Sequence, residues 1–470
     1  MVAGIAQVHD AVGFRRSLLQ RGIAEPVGRI ATVGARGTPA GCGPVAGNHL
    51  IHVTCSAYDA SMHHAAIIAE RPRAMSITGY ATAHFGKSLW WNGSELLLAF
   101  YLTEYLALQA LVAGYVIASG LVIGAIMDLV VANRRHWFAS VPRAGRMQVI
   151  GASGSLMALV VLFAAAGTTG PLRLATVIVA NILYRFAYVF YDLPQNCMLG
   201  LIDWSRDERR KAASARTAAG AGALLTVSLA ASLQTYNGTW SIALVVAGTS
   251  VAFASAGWLW RATRVLPDRP YDVTPAVPAS IGRPLAIMAI VCLTVPAFSK
   301  LAPYMAAYAR GAAPTPLLLI LATGTAITQP LWLTMIRRFG ETAAMGMAGG
   351  LLIAGALAAS GGAIGWASAC VGMAGGGLGT AIWAMFAAAV ASGSPLNAAP
   401  AFARLTATAK IALAVAAICI GGLLSVTDYR GDGARLRPAM ALLTLVGGAA
   451  VIALSCGNGF VRRGRRAESA

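Results

Sequence analysis

From residue 85 onward the chain repeats one pattern: a long apolar stretch, then a short polar connection. A helix that crosses a bilayer needs about 20 mostly apolar residues. On that rule twelve spans are predicted, at 89–106, 110–132, 147–167, 172–193, 214–233, 239–260, 285–307, 316–336, 342–361, 364–391, 405–426 and 439–457. Barrel strands would instead alternate apolar and polar positions over about ten residues. The expectation is therefore an all-α membrane protein with twelve transmembrane helices. The longest interior connection, 261–284, carries Arg261, Arg264, Pro267, Pro270, Pro275 and Pro278 and divides the spans six and six. That is the layout of two pseudo-equivalent halves about a central cavity. It gives an N-terminal half at 75–260, a cytoplasmic linker at 261–284, a C-terminal half at 285–458 and a basic tail at 459–470.

Composition supports this reading. Of the 470 residues 57% are hydrophobic and 11% are charged, against about 25% charged in a soluble protein. A soluble enzyme, a disordered chain and a disulfide scaffold are all excluded. The seven cysteines form no CxxC pair, so neither a redox motif nor a structural zinc site is indicated. No nucleophile–base pair or phosphate-binding loop sits at a helix end, and GMAGGGLG (372–379) lies inside an apolar run where it reads as close helix packing. Neither an enzyme nor a resident cofactor is expected.

The chain has 36 Lys plus Arg against 17 Asp plus Glu. In a polar protein that excess would point to nucleic acid, but here its distribution assigns it to lipid. Basic residues crowd the connections 2–3, 4–5, 6–7, 8–9 and 10–11 and the C-terminal tail. The opposite connections hold only Arg173, Arg310, Arg430, Arg435 and Arg437. The positive-inside rule then places both ends of the bundle in the cytoplasm, as a multi-pass protein of the inner (plasma) membrane. The expected partners are the bilayer and a small-molecule substrate, with the chain a monomer.

Residues 1–74 differ from the rest. They hold five of the seven His and seven Arg but no stretch able to span. They read as a poorly ordered extension, for which an over-early start codon before Met75 would account. A metal site from Cys42, His49, His52, Cys55, His63 and His64 is the competing reading, and these intervals match no known ligand spacing.

Ionisable groups at membrane depth cost at least ~2.5–3.5 kcal/mol each and need a partner or water. The candidates are Lys87 and Glu95 in span 1, Asp128 in span 2, Arg185 and Asp192 in span 4, Lys300 in span 7 and Lys410 in span 11. The chain has only four Lys, and three of them are in this set. In span 4, Asn181, Arg185, Tyr188 and Asp192 share one narrow helical face, a stripe that suits a solute pathway or an internal ion pair. Lys87 begins a stripe with Trp91, Ser94, Tyr101 and Tyr105. Lys410, inside TATAKIALAVAA, is expected to pair with Asp128 or Asp192. Lys300 is expected to snorkel at the outer end of span 7 and Glu104 to reach the outer interface. For Asp128 a local pair with Arg134 and Arg135 is the alternative.

Four segments carry a resemblance: GYATAHFGK (79–87), FYLTEYLAL (100–108), YDLPQNCMLGLIDWSRDERRKAASAR (191–216) and TATAK (406–410). In order and spacing they resemble the glycoside–pentoside–hexuronide:cation symporters, the melibiose-permease-like branch of the major facilitator superfamily. The resemblance implies that fold and a secondary transporter of a sugar or glycoside, working by alternating access and coupled to Na+ or H+. It implies that Asp192 and Arg216 belong to the substrate site, that Asp128, Asp192 and Lys410 couple the cation and that Arg209 belongs to an inner gate; the polar stripes of spans 1 and 4 add Lys87, Trp91 and Tyr188 as candidate substrate contacts and Arg185 as a candidate gate. The chain also departs from the pattern. Gly124 stands where the first of two span 2 acids is usual, Leu121 replaces a nearby Arg, Ser88 follows the Gly-Lys in place of an acid, and Asn196 replaces a Trp. A lysophospholipid symporter and a proton-linked exporter of drugs or metabolites are the alternative functions.

Overall fold

The structure, a computed structural model, describes residues 76–234, 239–266, 281–308 and 316–467. The 1–74 extension, with its Cys and His cluster, and residues 267–280 of the linker lie outside the described residues. Among the described residues, twelve helical spans follow in order. Span 1 runs from Ile77–Asn92 through Gly93–Leu97, Leu98–Phe100 and Tyr101–Tyr105; span 2 is Ala110–Ala132, span 3 Val141–Ala164 and span 4 Gly170–Leu201. Span 5 is Arg206–Gln234, span 6 Thr239–Thr263, span 7 Gly282–Ala307 and span 8 the pair Leu317–Ile327 and Gln329–Phe339. Span 9 is Glu341–Ser360, span 10 Ile364–Ala391, span 11 Ala398–Val426 and span 12 Arg437–Ala467. Eight helices among the described residues are long and apolar enough to cross a membrane, and the bent pair of span 8 makes a ninth.

Several spans start or end well outside their apolar stretches. Span 1 begins at Ile77, twelve residues ahead of the predicted start, because its polar residues His84, Lys87 and Ser88 are buried against other helices. Span 11 begins at Ala398, so Lys410 lies near mid-helix instead of close to its start. Span 4 continues through Pro194 to Leu201, placing Asp192, Gln195 and Asn196 all within the helix. A proline inside a helix frees a carbonyl one turn back, which neighbouring groups in a bundle can satisfy.

Two irregularities shape the bundle. Span 1 widens into π turns at Gly93–Leu97 and Tyr101–Tyr105, and each wide turn carries an acid, Glu95 or Glu104. Such turns are rare and recur at functional sites. Span 8 bends by 45° between Ile327 and Gln329. Pro330 lacks the N–H that would continue the ladder to Ala326, and at the same bend the Gln329 side chain donates to the Thr325 carbonyl at 2.9 Å.

Span 1 packs on spans 5 and 6, and span 3 on spans 4 and 6; in the other half span 9 packs on spans 10 and 12, and span 7 on span 12. The halves meet along two seams, span 2 against span 11 and span 5 against spans 8 and 10. Glycines bring the first seam together. A Cβ on Gly421 would stand 2.7 Å from the Ala110 carbonyl oxygen, and one on Gly114 would stand 2.8 Å from that of Ala417. Small residues of this kind let membrane helices approach backbone to backbone. The outer faces present Ile126, Leu129, Val130, Met157 and Leu172, as lipid contact demands.

Candidate functional site

Span 1 and span 4 lie side by side and turn their polar stripes toward each other. Lys87 Nζ donates to Asp192 Oδ1 at 2.6 Å and to Asn196 Oδ1 at 3.2 Å. One turn earlier on span 1, His84 Nδ1 meets Gln195 Oε1 at 3.2 Å, and the Tyr80 hydroxyl donates to the Gln195 carbonyl. Farther along, Trp91 stacks on Tyr188 with ring centroids 5.6 Å apart, and the Arg185 guanidinium lies 5.4 Å above Trp91. Asn181 acts structurally, because its amide donates to the Val116 carbonyl at 2.7 Å and ties span 4 to span 2.

Two further buried clusters cross between the halves. Arg185 Nη2 donates to Glu95 Oε1 at 2.5 Å, and Lys300 Nζ donates to Glu95 Oε2 at 2.9 Å. Glu95 therefore joins spans 4, 1 and 7. Lys410 Nζ bonds both Asp128 oxygens, at 2.8 and 2.7 Å, joining span 11 to span 2. Asp128 is 0% exposed and Lys410 2% exposed, so each charge is held almost wholly by the other. Gly124 faces this arrangement: a Cβ there would lie 3.5 Å from Lys410 Cδ and 3.7 Å from Arg185 Cβ, both ordinary contacts. Arg216, on span 5, is 6% exposed and lays its guanidinium 3.4 Å over the Trp383 ring of span 10.

The buried charges do not balance. Lys87, Arg185, Arg216, Lys300 and Lys410 face only Glu95, Asp128 and Asp192 among the described residues buried at membrane depth. Several donors also lack an acceptor among the described residues: Arg216 Nη1, Arg185 Nε and Nη1, Gln195 Nε2 and Asn196 Nδ2.

Both ends of the bundle are tied. At the basic end, Arg337 grips Asp207 with two bonds of 2.7 and 2.8 Å, and Arg210 donates to Glu341 at 2.8 Å. Gly340, at φ +87°, turns span 8 into span 9 in a single residue and so sets Arg337 and Glu341 against span 5. Hydrogen bonds from Arg337 and Lys211 hold the Asp207 carboxyl, in the exposed first turn of span 5, down at about 2. At the opposite end Glu104 accepts from Tyr308 at 2.5 Å, Tyr429 at 2.9 Å and Arg430 at 3.2 Å.

The structure thus gathers Lys87, Trp91, Tyr188, Asp192 and Arg185 at the span 1 and span 4 seam, and pairs Lys410 with Asp128. Asp192 takes Lys87 as its partner. Three expectations change. Lys300 does not snorkel; it is 2% exposed and bonded to Glu95, because the span 1 π turn brings that acid within reach. Asp128 pairs across the bundle and not with Arg134 or Arg135. Arg209 bonds the Ile202 carbonyl of its own connection at 3.3 Å, while Asp207 and Arg210 make the contacts to the other half. The sequence reading missed the Glu104 hub, Glu341 and Trp383. Lys300 alone carried a signal, as one of four Lys in an Arg-rich chain.

No protein-family model matches the chain, and no curated protein matches it in sequence. Its structure is similar to that of a bacterial homologue of the iron transporter ferroportin, solved in an outward-facing state with soaked iron. That match has a TM-score of 0.58 at 13% identity and covers 81% of this chain and 99% of that one. It is also similar to the human organic anion transporter MFSD10 (TETRAN), with a TM-score of 0.54, 12% identity, and 80% and 97% of the two chains covered. A third similar structure is FucP, a major facilitator superfamily transporter in the outward conformation, with a TM-score of 0.50, 14% identity, and 80% and 97% covered. The chain has the major facilitator superfamily fold and is a multi-pass membrane protein. At 12–14% identity these neighbours show the fold alone, and they do not show the melibiose-permease-like branch that its motifs resemble.

Proposed function

We propose that the chain is a secondary active transporter that binds a small solute between spans 1, 4, 5, 7 and 11 and works by alternating access. The observation that carries this reading is the pair of buried bridges between the halves, Lys410 with Asp128 and Lys300 with Glu95. Breaking one partner of such a pair leaves an uncompensated buried charge at roughly 3–5 kcal/mol. A proton or Na+ arriving at Asp128 would release Lys410 and free span 11 from span 2. Solute engaging Lys87, Asp192 and Arg216 would act on the neighbouring seam, and the two events together would let the halves rock. The basic end faces the cytoplasm in this reading, on the charge distribution of the connections.

Solved proteins of this fold are named for cargoes as unlike as iron and organic anions, so the fold itself does not choose the solute. The motif resemblance favours a sugar or glycoside. An amphiphile is favoured by one observation: a crevice of about 600 Å³ opens on the flank of spans 2, 7 and 11, lined by Leu129, Leu285, Ile290, Ile411 and Arg404.

Counterflow in proteoliposomes tests the reading. Uptake of a labelled glycoside or lysophospholipid driven by an imposed Na+ or pH gradient is the expected result. Asp128→Asn should abolish the gradient effect while leaving exchange. Uptake indifferent to both gradients would overturn the coupling, and lack of counterflow for the whole panel would overturn transport of these solutes.

A further inference from the structure

We infer that the transported solute carries an anionic group, a carboxylate or a phosphate, which docks on Arg216 together with Asn196 and Gln195. The inference rests on the transport reading above and assigns the charge of its cargo.

Buried polar hydrogens in folded proteins nearly always find an acceptor. Here three buried side chains from two helices keep donors without one among the described residues: Arg216 Nη1, Asn196 Nδ2 and Gln195 Nε2. They border one region. Lys87 bonds Asn196, and His84 bonds Gln195, and span 5, which carries Arg216, packs along this same stretch of span 1. Gly220, one turn beyond Arg216, faces the same part of span 1, since a Cβ there would lie 3.8 Å from Ser88 Oγ and 4.0 Å from His84 Nε2.

The Trp383 ring, 3.4 Å from the Arg216 guanidinium carbon, covers the group on one side, and Nη1 keeps its N–H donors without an acceptor among the described residues. Through such donors arginine reads a carboxylate or phosphate with two parallel bonds. The neighbouring carboxylate does not compete for the role, because Asp192 is committed to Lys87 at 2.6 Å. A neutral solute would bring donors as well as acceptors and leave the two excess positive charges of the buried cluster uncompensated. An anion supplies acceptors alone and reduces that excess.

The test uses purified full-length protein in nanodiscs, heated with matched probes: glucuronate against methyl glucoside, benzoate against benzamide, and lysophosphatidic acid against monoacylglycerol, with inorganic phosphate alongside. An anionic probe is expected to raise the Tm saturably while its neutral counterpart does not. Arg216→Gln should raise the half-saturating concentration roughly tenfold or more, the equivalent of a lost charge-assisted bond. Arg216→Lys, which keeps the charge but not the fork, should bind more weakly than wild type and stands in if the Gln variant does not fold. Arg264→Gln, exposed at the end of span 6, should bind as wild type. A response to lysophosphatidic acid alone assigns a lipid headgroup; a response to glucuronate, benzoate or phosphate assigns a soluble anion. Equal responses to neutral partners, wild-type binding by both Arg216 variants, or no response to any anion would overturn the inference. Counterflow of the bound probe separates the two readings. Binding without counterflow overturns transport and keeps the anion site, whereas counterflow of methyl glucoside without anion binding does the reverse.

Discussion

Lys410 reaches from the middle of span 11 to hold both carboxylate oxygens of Asp128 in span 2, at 2.8 and 2.7 Å, with almost no solvent at either group. The pair ties the two halves together across the span 2 and span 11 seam, one turn before the end of span 2. Its two members are only conditionally stable, since each depends on the other for its charge to be tolerated.

Removing one partner should therefore harm the protein more than removing both. Asp128→Asn or Lys410→Met alone is expected to lower stability by about 3–5 kcal/mol, and the double variant to regain most of it. Thermal unfolding in nanodiscs measures this; a double variant no better than the worse single one would contradict it.

Gly124 offers a test of ion choice. A side chain there meets Lys410 and Arg185 at ordinary contact distances, so Gly124→Asp should fold with its carboxylate beside two cations and near Asp128. The expected outcome is stabilisation of the variant by Na+ greater than that of the wild type, read as the rise in Tm between choline and sodium buffers. An unchanged response would mean that a second acid in span 2 does not make a sodium site here.

The glycine crossing of spans 2 and 11 has no space for a side chain. Gly421→Leu must push the Ala110 carbonyl away, and overpacking of this kind typically costs 1–3 kcal/mol. The expected result is a lower Tm and faster thiol labelling of a cysteine placed at Ala113, which is buried on span 2 beside the crossing. Wild-type values for both would show that the seam opens without strain.

The basic end has a pH signature. The carboxyl of Asp207 is depressed to about 2 by Arg337 and Lys211, below the ordinary aspartate value of about 3.9. A depressed acid stabilises fully above its unfolded value and loses that contribution as pH falls through its folded one. The latch should thus hold through neutral and mildly acidic pH and release only between about pH 4 and 2. Asp207→Asn should release it at neutral pH. Distances between spin labels on spans 5 and 9 report the opening, and a variant that stays closed at pH 7 would show that Arg210 and Glu341 suffice.

How far these contacts could be read from the sequence depended on the kind of signal each left. The spans and their six-and-six division were legible because a bilayer demands run length, and run length is local. Lys410 was legible as needing a carboxylate, with Asp128 and Asp192 both open, because a charge inside an apolar run requires an opposite one. Lys300 was misplaced although span 7 ends where expected, at Ala307, because the acid that holds it, Glu95, is brought within reach by a π turn of span 1 that no local pattern announces. Polar residues that face the bundle concealed the first turns of span 1, where His84, Lys87 and Ser88 looked like a polar approach to the membrane. The terminal latches left little: Glu104 was expected at the outer interface but without named partners, Asp207 and Glu341 sit at helix starts beside charged connections, and only the fold shows which residues each one meets.

Span 1 stores surplus chain at two places, and in both the surplus coincides with an acid that grips the C-terminal half: Glu95 on Lys300, and Glu104 on Tyr308, Tyr429 and Arg430. A wide turn that tightens to an ordinary one advances its side chains by about 100° without unravelling the helix. Letting go of the opposite half is then a change of winding, completed inside one helix and costing no unfolding. Deleting Gly93 should fix that tightened form, leaving a folded protein in which Glu95 no longer reaches Lys300, and a preserved Glu95–Lys300 crosslink in the deletion variant would refute it.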